Sequence, residues 1–368
     1  MSQLKVNTIR HTGASSDAVT LATDGTCTAK ITNNLSNRNL IINGAMQVAQ
    51  RGTTFNSVSE GDVTLDRFKW EQGGTSVTSV WNVTQKSDAA REIGFEHSLK
   101  VEVATVDSSL ASNHYSQIKY LIETDDIVRQ SSYGLSSAKK MTLSFYVKSS
   151  VTGTFPLALN DGSGSRSNPH VYTINSANTW ERKTIAFNGD TGGNWQTQTG
   201  NAAGFGIRFG LAIGSGYFGT ADGAWAADSS YANLYASYSN SLVATSGATW
   251  EITGIQLEVD STGSGVATDF EHRSYADELA KCQRYFYKEH VTDAVGPYFT
   301  QYFHTHKFVH IWYPVTMRTV PTPTVTYSTG SPTAYKLTTN HFKAYTSSAY
   351  NDSSNTHYIT AAQFDAEL

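Results

Sequence analysis

The sequence predicts an all-β protein: a jelly-roll β-sandwich with an N-terminal β stalk, one linking α-helix and a small C-terminal β domain. Three observations point there. Charged residues are 16% of the 368-residue chain, below the roughly 25% of average globular proteins. Tyrosine (20) and glycine (29) are abundant, which suits strands joined by long surface loops. Segment after segment alternates apolar and polar with period two. In "KKMTLSFYVKSS", Leu143, Phe145 and Val147 face one way and Thr142, Ser144 and Tyr146 the other.

The elements follow in order. Residues 1–38 hold short strands without a core, including two around an Asp24-Gly25 turn in "AVTLATDGTCTAKI". A hairpin is marginal alone in water, so this segment is expected to anchor or form a stalk by packing on other copies or an assembly. Residues 39–272 are dense in strand signals, among them "SLKVEVATV", "YSQIKYLIET", "FGIRFGLAIG" and "TWEITGIQLEV". About eight antiparallel strands with no helices between them suit a two-sheet jelly roll. Residues 273–286 read as a linker helix. Ser274 caps it, Asp277 closes a capping box, and Tyr275, Leu279, Cys282 and Phe286 recur on one face. Residues 287–368 resume the β pattern in a small cap, with Pro321 and Pro323 biasing their segment to a sheet edge.

Composition narrows the partners. A net charge of −4 carries no basic footprint for nucleic acid. Cys27 and Cys282 lie too far apart in sequence for a disulfide framework or a four-cysteine zinc site. "MSQLKVNTIR" lacks the apolar core of a signal peptide, and no run of about 18 apolar residues predicts a membrane span. A chain made in a cytoplasm but composed like a surface adhesin fits a virus particle, released by lysis.

Particular phrases carry a family likeness. "NRNLIINGAMQVAQRGTTF", "DRFKW", "TWEITGIQLEVDSTGSGVATDFEHRSYADELAKCQRYF" and "YPVTMRTVPTPTV" resemble bacteriophage tail-fibre and related virion proteins, over about residues 37–325. The resemblance implies a carbohydrate-binding-like jelly roll that leads through a helix into a C-terminal β region. It also implies a homotrimer that attaches to a host surface glycan, with residues 1–38 held by other virion proteins. A purely structural virion component, such as a capsid decoration, is the alternative; a polysaccharide depolymerase ranks behind both. No cofactor is implied.

Single residues offer chemistry of their own. Glu271, His272 and Cys282 crowd the helix, but His272 precedes the cap and Cys282 lies more than two turns along. The nucleophile and base of a catalytic pair must converge, so the stretch reads as a joint. Glycosidases place two carboxylates about 5–10 Å apart, and no sequence pattern marks such a pair here, so no enzyme is expected. In "HTHKFVH", His304, His306 and His310 share a strand face. A metal held by His304 and His306 on a trimer axis ranks below a plain polar face. Pyranose rings lie on flat aromatic side chains, so the loop residues Trp195, Tyr217, Trp225, Tyr231 and Tyr235 are candidate glycan contacts. For the two tryptophans, pinning a loop over the sheet is an equal reading. Tyr335, His341, Tyr345 and Tyr350, with His357, form a second candidate surface in the cap. Trp180 and Trp250 open strands and are expected in the core.

Overall fold

The computed structural model describes residues 6–15, 17–29, 37–87, 90–195, 200–219, 223–228, 230–261, 263–289, 301–303, 306–327, 332–346 and 358–368. Strands β1 (Thr8–Ile9), β2 (Val19–Leu21) and β3 (Cys27–Ala29) pair antiparallel in a small sheet. The expected turn joins the last two: Gly25 has φ +85°, and the Asp24 carboxylate accepts the Thr26 N–H at 2.9 Å. Val6, Ile9 and Leu21 of this region are exposed.

Among the described residues, twelve strands build the sandwich. They are β4 (Thr54–Phe55), β5 (Lys69–Gly73), β6 (Val80–Ser87), β7 (His97–Thr105), β8 (Tyr115–Glu123), β9 (Met141–Ser149), β10 (Gly153–Asp161), β11 (Arg166–Ile174), β12 (Glu181–Phe187), β13 (Ala203–Ile213), β14 (Ala226–Ala227) and β15 (Thr249–Val259). They divide into two antiparallel six-stranded sheets, ordered β14-β11-β10-β13-β8-β5 and β12-β9-β15-β7-β6-β4. Alternation sets the two faces of each. Along β9, Met141, Leu143, Phe145 and Val147 are wholly buried between the sheets. Aromatic pairs bridge the layers: Trp70 on Trp81 at 5.4 Å, and Phe209 on Phe145 at 5.3 Å and Trp250 at 5.8 Å. Each such pair contributes about 1 kcal/mol beyond area burial.

One element departs from expectation. Between β8 and β9 runs the helix α1 (Thr124–Ser131), which buries Ile127 and Ser131. "TDDIVRQS" is too short to show helical periodicity, and the preceding strand masks its start.

Along β15, the outer face of the second sheet is covered by its own chain. Glu258 accepts from the Thr268 N–H at 2.9 Å and the Thr268 hydroxyl at 2.7 Å. Gln256 donates to Thr268 at 3.0 Å and accepts the Glu271 N–H at 2.8 Å. Thr142, Ser144, Thr253, Gln256 and Glu258 are all buried beneath this segment or their own strands.

The joint follows. Helix α2 (Tyr275–Gln283) has Ser274 as N-cap, its hydroxyl accepting the Asp277 N–H at 3.2 Å. Its buried residues are Glu278 and Cys282, whereas Tyr275 is 56% exposed, a correction to the expected face. Glu278 tolerates burial because it accepts the Asn43 N–H and pairs with Arg273 at 3.5 Å. Glu271 accepts the Asn39 N–H at 2.9 Å, tying the sandwich's entry to its exit. Burial raises the Cys282 thiol pKa well above its ordinary value, so this sulfur is an inert packing group.

The cap contains β16 (Phe286–Lys288), β17 (Gln301–Phe303), β18 (His306–Trp312), β19 (Thr322–Tyr327), β20 (Thr333–Leu337), β21 (His341–Thr346) and β22 (Ile359–Asp365). These form sheets ordered β16-β22-β19 and β17-β18-β21-β20, with Pro323 on the edge strand β19. The cap and the helix before it dock through ion pairs, buried at Arg67 and Glu123. Arg67 pairs with Glu367 and lies 3.4 Å over the Tyr285 ring, and Arg284 reaches Glu123 at 2.9 Å.

Candidate functional site: an open cleft on the outer face of one sheet

The first sheet is not sealed as the second is. Its outward side chains include Glu71 on β5, Gln117 and Lys119 on β8, and Arg208 on β13. Register sets Glu71 opposite Gln117, and Lys119 opposite Arg208. The segment after β13 folds back over this face and supplies Tyr217, Tyr231, Leu234 and Tyr235. With Tyr115 and Glu60 they enclose a cleft of about 350 Å³. That is the small end of the range for small-molecule sites.

Two glycines allow the fit. A Cβ at Gly210 would lie 2.8 Å from Pro156 and from Ile213 and 3.2 Å from the Tyr235 ring, so glycine eases the approach of that tyrosine to the sheet. Gly164 has φ +72°, and a Cβ there would meet the Tyr231 hydroxyl at 2.4 Å.

The floor is a connected polar network. Glu71 accepts from Lys119, Gln117 and Arg208, each at 2.8 Å. Arg208 Nε donates to Asn160 at 3.0 Å, and the Tyr235 hydroxyl donates to Gln117. The Arg208 guanidinium lies 5.5 Å from the centroid of Tyr231, which is 39% exposed. Tyr115 meets Tyr217 edge-on at 5.9 Å. Burial pushes the Glu71 pKa up, but Arg208, Lys119 and the hydrogen bonds together pull it below the usual value, so it stays ionised. Burial and then Arg208 lower the pKa of Lys119; burial raises that of Glu60.

This arrangement presents rings beside a rigid row of donors and acceptors. Glu71 holds three donors, so giving or taking a proton would release Lys119 and Arg208 inside a partly dry cleft. Nearby, Ser116, His114 and Asp107 stand in the order of a hydrolase triad. Ser116 Oγ is 3.1 Å from His114 Nε2, and Asp107 is 3.4 Å from Nδ1. All three are buried, at 0%, 0% and 5% exposure, so no substrate carbonyl reaches the hydroxyl. Burial lowers the His114 pKa, leaving it a neutral packing group.

The structure sorts the sequence candidates. Tyr217, Tyr231 and Tyr235 converge on the cleft. Trp195 does not: it is wholly buried, donates to Asp190 at 2.9 Å and packs edge-on against Tyr133 at 5.0 Å. Trp225 is half-buried against it at 5.5 Å and donates to the Asn188 carbonyl at 2.8 Å. Both pin the loop, and Trp195, wholly buried, offers no face to a ligand. His341 and Tyr345 lie on the outer face of β21. Tyr350, His304 and His357 fall outside the described residues, as do the side chains of Tyr335 and His306. Sequence reasoning missed Glu71, Tyr115, Gln117, Lys119 and Arg208. For all but Tyr115 the signal was a charged or amide group at the outward position of three separate strands, "FKWEQG", "YSQIKY" and "GIRFG".

No family model matches the chain, and no curated protein matches it. Among solved structures, it is similar to the enzymatically active domain of bacteriophage CBA120 tailspike protein 4, at 17% identity and TM-score 0.31. That match covers 55% of this chain and 21% of the tailspike chain. It is also similar to the family 11 carbohydrate-binding module of a Clostridium thermocellum cellulase, at 12% identity and TM-score 0.28, covering 56% of this chain and 96% of the module. A third is the module TmCBM61 in complex with β-1,4-galactotriose, at 10% identity and TM-score 0.29, covering 61% and 99%. At these scores the cleft has to be understood from its own residues.

Proposed function

We propose that the chain is a non-enzymatic glycan-binding protein of a phage virion, a tail fibre that attaches to host surface polysaccharide through the cleft. The open cleft carries this reading. Sugars have apolar C–H faces and a rim of hydroxyls. Tyr231 and Tyr217 offer rings for the faces, and Gln117, Lys119 and Arg208 offer fixed partners for the hydroxyls. The virion assignment rests on the sequence resemblance over residues 37–325. Exposed Ile9 and Leu21 on the small N-terminal sheet, and Val6 just before it, support a homotrimer and attachment to other virion proteins through residues 1–38. Several chains acting together make a weak single site sufficient.

The test uses purified full-length protein with host-surface polysaccharide. Saturable binding without release of reducing ends is expected, and binding should weaken in Arg208→Met. Release of reducing ends would make it a depolymerase; no binding at all would leave a structural virion component.

A further inference from the structure

Away from the cleft, β18 and β21 set three cross-strand pairs side by side on one face. Phe308 stands opposite Tyr345, His310 opposite Lys343, and Trp312 opposite His341. The alternate residues Val309, Ile311, Phe342 and Ala344 are buried in the cap core, so this set points outward. Trp312 is 65% exposed. Its ring is nevertheless held, 4.3 Å from His310 and 5.0 Å from His341. The result is a braced aromatic shelf in water.

The shelf is also basic in a chain of net charge −4. Lys343 stands directly opposite Lys336 on β20. Like charges so placed repel, and among the described residues neither lysine forms an ion pair. An anion between them would relieve that repulsion, and a ring over Trp312 would cover exposed indole. One ligand does both.

We propose that this shelf is a second saccharide site, selective for a carboxylated sugar, with Trp312 under the pyranose ring and Lys343 and Lys336 facing the carboxylate. It does not depend on the cleft. A neutral sugar would gain the stacking but leave the lysine pair unrelieved, which is the origin of the selectivity.

Affinity electrophoresis of the full-length protein tests it, in gels containing polygalacturonate, neutral galactan or polyglutamate. Retardation by polygalacturonate alone is expected, weakened about tenfold by Trp312→Ala, as for loss of one stacking platform. Lys336→Ala with Lys343→Ala should weaken it similarly, and Tyr231→Ala should leave it unchanged. Thermal melts confirm that each variant is folded. The proposal is overturned if wild type is not retarded by polygalacturonate, or if neutral galactan retards it equally. Retardation by polyglutamate that survives Trp312→Ala would reduce the face to an unspecific basic patch. Loss of retardation only in Tyr231→Ala would assign the binding to the cleft. A change of sedimentation mass in Trp312→Ala would make the shelf a contact between copies.

Discussion

The two sheets of the sandwich share the same inward logic and differ on their outer faces. Both carry charged and amide groups at outward strand positions. On the β9–β15 sheet these groups meet the chain's own exit segment, and Glu258 and Gln256 spend their hydrogen bonds on Thr268 and Glu271. On the β8–β13 sheet the covering loop stands off on tyrosines, and Glu71, Lys119 and Arg208 face a cleft. A polar group sealed by its own chain stabilises the fold. One left facing a cleft is available to a ligand, although the residue types are the same.

Four experiments break or sharpen this contrast. The largest effect is expected at Trp195, the loop aromatic that went inward. Trp195→Ala should cost about 3–5 kcal/mol in chemical denaturation, as large-to-small core changes do. A cost below about 1 kcal/mol would return Trp195 to the surface. Next comes the sealed face. Glu258→Ala removes the acceptor for two donors of Thr268 and should cost about 2–3 kcal/mol, with glycan affinity of the folded protein unchanged. A loss of affinity equal to that of cleft variants would erase the distinction between the faces.

Third is pH. His170 on β11 lies buried between the sheets, and burial lowers its pKa to about 4. A folded-state value below the unfolded one means that the unfolded chain binds the proton first. Stability is therefore full above the ordinary value near 6.5 and falls as pH drops towards 4. The expected loss at pH 5 is about 2 kcal/mol, removed in His170→Gln. The inward residues of β9 and β15 have no titrating counterpart, so amide exchange at pH 5 should rise first in β11. Equal pH profiles for wild type and variant would refute this. The smallest effect belongs to the outward aromatic. Tyr231→Ala should weaken glycan binding about tenfold, yet shift stability by no more than about 0.5 kcal/mol. A large stability loss with intact binding would make Tyr231 another pin.

The joint shows how far a local pattern reaches. Ser274 and Asp277 sit three apart, and that spacing alone names the cap that forms. The helix face was harder, because Glu278 outranked Tyr275 for the interior once Asn43 and Arg273 were placed to satisfy it. The same holds in the cap, where alternation put Val309 and Ile311 inward and Phe308 and His310 outward.

What the linear chain determined by itself is therefore whatever repeats within a few residues: strand faces, the Asp24-Gly25 turn, the Ser274 cap, the edge placement of Pro323. Tertiary structure alone decided that Glu71 and Arg208, 137 positions apart, meet at 2.8 Å, and that Trp195 turns inward while Tyr231 stays in water. Alternation is set by local geometry and read two residues at a time. Register and loop burial are sums over contacts between distant strands, and no stretch of sequence contains both partners.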